Sequence, residues 1–298
     1  MTSARWRFAD PEQIPVLEAA VAANVAAALA EDVGSGDCTA ELLPAGAMVD
    51  ARLLVREPAV LCGIPWAAAV FDHLDPRVTI EWAYAEGAQM AADSLVCRLH
   101  GPARAILTGE RAAIDFLQTL SAVATATRRY VDAVAEVPGS RARILDTRKT
   151  IPGLRVAQKY AVRVGGGVNH RMGLYDAILV KENHIAAAGG VGSALRAAAG
   201  RGVPVQIEVE TLAQLQEALT AGARSILLDN FVPEAMREAV ALARVHAGDT
   251  GTEPAVLEAS GGVRLETVRG IAATGVDRIS IGSLTKDVRA IDFSLRVT

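Results

Sequence analysis

The sequence predicts an α/β protein in two parts, a small sheet-bearing N-terminal region followed by a series of parallel β-α units. Three observations predict it. The chain has 298 residues, and at roughly 150 residues per domain that length suits two domains. Six short β-type runs recur in its second half: ARILDT (142–147), AILVKEN (177–183), VQIEVE (205–210), SILLDN (225–230), AVLEAS (255–260) and RISIGS (278–283). Amphipathic stretches such as TLAQLQEALTAGA and PEAMREAVALARVHA lie between several of them, and strands alternating with helices at this pitch pair in parallel. At least six such units favour a closed barrel, with a doubly wound open sheet as the alternative.

The elements follow in order. The opening MTSARWRFADPEQ lacks the apolar run of a secretory signal, which predicts a cytoplasmic protein. Residues 16–30 are mostly alanine and carry Glu18 and Asn24; they read as a soluble helix beginning near Pro11, too short and too weakly apolar to span a membrane. Residues 50–110 read as β-rich: DARLLVREPAVLCG, VTIEWAYAEG, DSLVCRLHG and ARAILTG are apolar or alternating runs separated by Gly, Pro and Asp. From Glu110 the apolar residues Ile114, Leu117, Leu120, Ala124 and Val131 take helical spacing, and PGS at 138–140 ends that helix.

Composition narrows the function. Hydrophobic residues make up 51% of the chain, enough for a large core. Aromatic residues are only 4%, and the charge sum is 30 − 34 = −4, so neither stacking platforms nor a basic footprint for nucleic acid is present. Cys38, Cys62 and Cys97 are widely spaced and form no C-x-x-C pair, which points to a reducing compartment. Only four of the thirty basic residues are lysine: Lys149, Lys159, Lys181 and Lys286. A chain that otherwise uses arginine can keep lysine where a compact point charge is needed.

All six β-type runs end in polar or small residues, and α/β barrels build active sites at the carboxyl ends of their strands. A bland alternative for any one of them, Asp229 ahead of Pro233 for example, is capping of the next helix. Residues 146–184 gather Arg148, Lys149, Arg155, Lys159, Arg163, Arg171 and Lys181 with His170 and His184, against Asp146, Asp176 and Glu182 alone. A polyanionic small substrate requires such a concentration of cations. Lys159 reads equally as a solvated helix residue or as part of that set. Gly165-Gly166-Gly167 is followed by no G-K-[ST] and is no P-loop; a tight turn or a close backbone approach explains it. Glu208 and Asp229, at the ends of successive strands, are hard oxygen donors suited to Mg2+ bridged to substrate phosphates. Ser260-Gly261-Gly262 and Gly282-Ser283 follow the last two strands and offer free backbone N–H groups to a phosphate. His73, His100 and His246 read as ordinary histidines, and Cys62 and Cys97 as core thiols.

TRKTIPGLR (147–155), QKYAVRVGGGVNHRMGLYDAILVKENHI (158–185), ILLDNF (226–231) and EASGGV (258–263) closely resemble quinolinate phosphoribosyltransferase. GSGDCTA (34–40) and GERAAIDFLQTLSAVATAT (109–127) fit its N-terminal part. The resemblance implies an N-terminal α/β sandwich domain over residues 1–115, an irregular, TIM-like α/β barrel over 116–286, and a tail at about 287–298 that packs back on the first domain. It implies decarboxylating transfer of phosphoribosyl from 5-phosphoribosyl-1-pyrophosphate (PRPP) to quinolinate, with Mg2+ held by Glu208 and Asp229 directly or through water. It places quinolinate against Arg148, His170, Arg171 and Lys181, with Arg111 reaching in from the neighbouring subunit of a homodimer; a hexamer is the larger assembly left open. Lys149, Lys181, Glu208 and Asp229 would face the phosphoribosyl donor, and Ser260, Gly261, Gly262, Gly282 and Lys286 its 5-phosphate. This chain departs from the family pattern at Asp115 (usually Asn), Ala122 (often Gly), Gln206 (usually Glu) and Lys286 (usually His). Three rivals remain at this level: a paralogue acting on another base carboxylate, a barrel aldolase or lyase using Lys181 as a Schiff base, and a non-catalytic binding protein.

Overall fold

The computed structural model describes residues 6–298. The chain divides into two compact units. The first comprises the chain up to Arg128, with Thr150–Gly166 and Ser283–Thr298; the second comprises Arg129–Lys149 and Gly167–Gly282. The domain boundary that the resemblance implies between residues 115 and 116 falls inside one uninterrupted helix, Ala103–Ala135, whose residues to Arg128 count with the first unit.

The first unit is built on an antiparallel sheet. β1 (Met48–Val55) is central with β5 (Ser94–Pro102); β3 (Thr79–Trp82) lies outside β5, and β12 (Phe293–Val297) outside β1. The pairing Val55↔Phe293 through Ala51↔Val297 returns the C-terminal tail to this sheet. β2 (Ala59–Val60) and β4 (Gln89–Met90) form a separate small ribbon. Helix Ile64–Leu74 starts at a proline behind Gly63, whose φ of +112 suits glycine. The periodicity of residues 50–110 did not reveal this helix, because WAAAVF is apolar without a break. Nor is ARAILTG a strand: it forms the first turns of helix Ala103–Ala135. The glycine that suggests a turn there serves packing, since a Cβ at Gly109 would lie 2.9 Å from both Phe71 and Leu74 side chains.

Helix Ile14–Asp32 follows a short turn at Pro11–Gln13. It extends beyond residues 16–30 at both ends. Its Leu17, Val21, Val25 and Leu29 recur every four residues and are buried in the core of the first unit, as expected of a helix laid on a globular core. Trp6, Trp66 and Tyr160 meet in that core with ring centroids 5.4–6.1 Å apart.

The second unit carries six parallel strands: β6 (Arg143–Leu145), β7 (Ile178–Val180), β8 (Val205–Val209), β9 (Ser225–Asp229), β10 (Val256–Ser260) and β11 (Arg278–Ser280). All six are where the sequence places them. Strands β7 to β11 add one beside the next in chain order, and β11 pairs back to β6. A doubly wound sheet reverses its order midway; this continuous winding is that of a barrel. Helices Leu212–Thr220, Pro233–Thr250 and Leu265–Ala272 fill the later crossovers. Thr211 caps the first of these by accepting from the Gln214 N–H at 3.2 Å.

Candidate active site

Strand alternation builds the site. Leu227 pairs with Glu208 on one side and Glu258 on the other, and Asp229 pairs with Ser260. Residues two apart on a strand share a face, so Glu208, Leu227, Asp229, Glu258 and Ser260 face one way together with Ser280, and all line a cleft of about 490 Å³. Barrel interiors are ordinarily filled by branched apolar side chains; the polar lining here marks the cleft as something other than core.

Cations occupy the neighbouring strand ends. Arg148 and Lys149 follow β6, Arg171 precedes β7 and Lys181 follows it, and all four line the same cleft. Lys181 Nζ donates to Glu208 Oε2 at 2.7 Å. Burial first, and then the neighbouring Arg148 charge, lower the Arg171 pKa, while Asp176 opposes the shift. Guanidiniums lining one cleft can offer bidentate donors of the kind that match carboxylates. Arg171 also donates to the Ala177 carbonyl at 3.1 Å, which fixes its direction.

The loop carrying His170 and Arg171 is anchored from below. Asp146, fully buried, accepts from the His170 N–H at 2.9 Å and from Asn169 Nδ2 at 2.5 Å. Asp176 accepts from the Met172 and Gly173 N–H groups at 2.6 and 3.0 Å. Both ring nitrogens of His170 are engaged by the protein: Nδ1 by the Arg171 N–H at 2.8 Å and Nε2 by Gln206 Oε1 at 3.0 Å.

At the far rim Gly261 and Gly262 have φ of +102 and +58, and a Cβ at Gly261 would collide with the Asn230 side chain. Consecutive glycines in this region of φ, just before helix Leu265–Ala272, have backbone geometry that can present N–H groups to an anion. Asp229 does not cap the next helix, whose N-cap is Val232; Asp229 Oδ2 instead accepts from Asn230 Nδ2 at 2.8 Å. Gly282 lies beside the Lys149 chain, and a Cβ there would stand 3.0 Å from Lys149 Cδ.

Several sequence-predicted residues belong to the first unit and are not among those lining this cleft. Arg155, Lys159 and Arg163 belong to the first unit: Arg155 donates to Thr150 Oγ1 at 3.1 Å, Arg163 pairs with Asp10 at 2.9 Å, and Lys159 is 1% exposed rather than solvated. The triple glycine after them ends helix Arg155–Val164. There a Cβ at Gly165 would sit 2.5 Å from the Ala124 carbonyl oxygen, so this run serves close helix packing. Arg111 is in the first unit, exposed on helix Ala103–Ala135 and 3.5 Å from Asp115; it lines a different cavity of about 370 Å³ with Glu31, Asp32 and Asp115. Lys286 is also in the first unit, exposed and 3.3 Å from Asp287. Asp146, Glu258 and Ser280 are site residues that the motifs do not single out. The signal was present for two of them, since Glu258 and Ser280 sit in phase with Glu208 and Ser260.

Family models for the quinolinate phosphoribosyl transferase N-terminal and C-terminal domains match residues 37–121 and 123–296. The chain belongs to the quinolinate phosphoribosyltransferase family. It is 42% identical over 274 residues to the nicotinate-nucleotide pyrophosphorylase (carboxylating) of Mycobacterium leprae, covering 90% of this chain and 94% of that one. It is 38% identical over 293 residues to the quinolinate phosphoribosyltransferase (decarboxylating) 2a, mitochondrial, of Nicotiana tabacum, covering 91% and 80%. The solved nicotinate-nucleotide pyrophosphorylase of Francisella tularensis superposes with a TM-score of 0.87 at 41% identity, over 94% of this chain and 96% of that one.

Proposed function

We infer that this family member transfers phosphoribosyl from PRPP to quinolinate with decarboxylation, giving nicotinate mononucleotide, pyrophosphate and CO2 in de novo NAD biosynthesis. The carrying observation is that one cleft brings together Arg148, Lys149, Arg171 and Lys181 with Glu208 and Asp229. Two adjacent carboxylates on a pyridine need the first group, and a centre that becomes cationic needs the second.

The pyridine nitrogen lone pair forms the new bond to the anomeric carbon as the bond to pyrophosphate breaks. Positive charge develops on the sugar and passes to the ring nitrogen. Arg148, Arg171 and Lys181 hold the carboxylates, so the nitrogen is presented to the sugar without rotational freedom. Lys149, exposed beside Gly282, reaches the donor side, and the Ser260, Gly261 and Gly262 rim receives the 5-phosphate. Once the nitrogen is ribosylated, loss of the neighbouring carboxylate leaves its electron pair beside a cationic nitrogen. That carbon then takes up a proton, and the electron balance needs no protein nucleophile.

Mg2+ suits the donor set of Glu208 and Asp229, two hard oxygens on one face of adjacent strands. Among the described residues no three His, Cys, Asp or Glu side chains converge as a metal site, so water and substrate phosphates would complete the shell, the usual habit of this ion. When bound there it would offset charge on the leaving pyrophosphate. Arg111 is exposed and pairs with the likewise exposed Asp115, which suits a role in a neighbouring subunit's cleft within a homodimer. Free Cys38, Cys62 and Cys97 suit a reducing, cytoplasmic setting.

The Schiff-base alternative is disfavoured by the Lys181–Glu208 pair, because an ammonium donating to a carboxylate has no lone pair with which to attack a carbonyl. The test is an assay with Mg2+ and PRPP, offering quinolinate or nicotinate separately while mononucleotide and CO2 are followed together. Equal mononucleotide and CO2 from quinolinate alone is the expected result. Product from nicotinate, or none from quinolinate, would overturn the substrate assignment.

A further inference from the structure

A chain of hydrogen bonds under the cleft reaches His170 from below, and its direction is set at each link. The Arg171 backbone N–H can only donate, so His170 Nδ1, 2.8 Å away, accepts and carries no proton. Nε2 therefore holds the ring proton and donates to Gln206 Oε1 at 3.0 Å. With its oxygen so used, the Gln206 amide nitrogen donates to Glu258 Oε2 at 3.0 Å. A carboxylate only accepts, so the chain ends there and the Gln206 amide has one orientation. Glu258 is 0% exposed and Gln206 8%. Glu258 Oε1 has no hydrogen-bond partner among the described residues and lies 3.6 Å from His170 Nε2. A buried carboxylate held with one oxygen unfilled is costly, and neither Gln206 nor Glu258 is needed to hold the barrel wall, where apolar residues are the ordinary choice.

We propose that Gln206 and Glu258 are positioning residues that lock His170 as its Nε2-protonated tautomer, and that His170 meets the aromatic substrate with its carbon edge and ring face rather than with an N–H. Both nitrogens are taken by the protein, so the substrate carboxylates fall to Arg148, Arg171 and Lys181, and the fixed imidazole acts as a wall that sets the plane of the pyridine. An amide at 206 is the group that can do this. It accepts on one side and donates on the other, whereas a carboxylate at 206 would face the Glu258 carboxylate with no proton between them. The second half of the proposal rests on the cleft being the quinolinate site; the tautomer does not.

The decisive measurement is long-range 1H–15N correlation of the five histidine rings in the full-length protein, with His170 assigned by its loss in His170→Gln. An unprotonated Nδ1 and a protonated Nε2 are expected. An Nδ1–H tautomer or an imidazolium at neutral pH overturns the proposal without any further variant. Gln206→Met should leave Nδ1 unprotonated but release the Nε2 end of the ring, and raise KM for quinolinate about tenfold while KM for PRPP and kcat stay within about twofold. Glu258→Leu should act in the same way, and Glu258→Gln, which keeps an acceptor for the amide, should recover most of the loss. A merely structural role would instead move both KM values and the melting temperature together, and an unchanged KM for quinolinate in folded Gln206→Met would also overturn the positioning role. If quinolinate is no substrate at all, the function proposed above fails while the ring tautomer is still read directly.

Discussion

Both units bury carboxylates, and they use them in opposite ways. In the first unit Glu86 is 6% exposed and accepts from the Gly63 and Ile64 N–H groups at 2.9 and 3.1 Å. It thereby closes the start of helix Ile64–Leu74, beside the buried Cys62 thiol, whose pKa is raised by burial and by the Glu86 charge. In the second unit Glu208 and Glu258 are as deeply set, yet they share a cleft of about 490 Å³ with four cations and a glycine rim. Burial of a charged group is therefore no mark of a site by itself. What separates the two is convergence on open space: Glu86 satisfies backbone donors in a filled core, whereas Glu208 and Asp229 face a volume that a substrate can enter.

The comparison can be broken first at the cleft. Arg171→Leu should lower kcat/KM for quinolinate by about a thousandfold, about 4 kcal/mol of transition-state binding, because it removes one of two facing guanidiniums. Its thermal stability should hold or rise, since mutual repulsion with Arg148 is relieved; a large fall in melting temperature with little loss of activity would make the cluster structural. The matching change in the first unit is Glu86→Gln. Burial pushes the Glu86 pKa up to about 7 from an ordinary 4.5, against the pull of its two backbone donors. The folded form thus binds a proton that the unfolded form gives up, so the stabilisation is complete below about pH 4.5 and is lost as pH rises through about 7. Denaturant titrations should show wild-type stability falling by about 3 kcal/mol across that window and Glu86→Gln flattening the slope, with activity at fixed pH little changed. A flat wild-type profile would show that Glu86 is solvated.

Smaller effects sharpen the contrast. Gly165→Ala should cost about 2 kcal/mol by forcing the close contact with Ala124 apart, read as a lowered urea midpoint. Arg111→Ala should change stability by less than about 0.5 kcal/mol, because its pair with Asp115 is exposed on both sides. The same variant should lose most activity if the guanidinium serves a neighbouring subunit. Mixing Arg111→Ala with Lys149→Ala subunits should then restore part of that activity, and no recovery after subunit exchange would remove Arg111 from the site.

All six barrel strands could be read from the residues because a buried parallel strand is a short apolar run with a polar end, a pattern that survives without tertiary context. Helix Ile64–Leu74 and the early start at Ala103 could not: alanine-rich segments next to glycine fit strand, turn and helix alike, and the packing of Gly109 on Phe71 and Leu74 decides between them. The residue types for anion binding and ribosyl transfer, and their order along the chain, were likewise determined by the sequence itself. Only the tertiary structure decided which of them meet. Arg155, Lys159 and Arg163 lie within fifteen residues of Arg148 yet count with the other unit, whereas Glu258 lies 88 residues from His170 and stands 3.6 Å from its ring. The reason is that local pattern reports which face a residue takes on its own element, and the pairing of β6 with β11, made across more than 130 residues, determines which faces look into the same space.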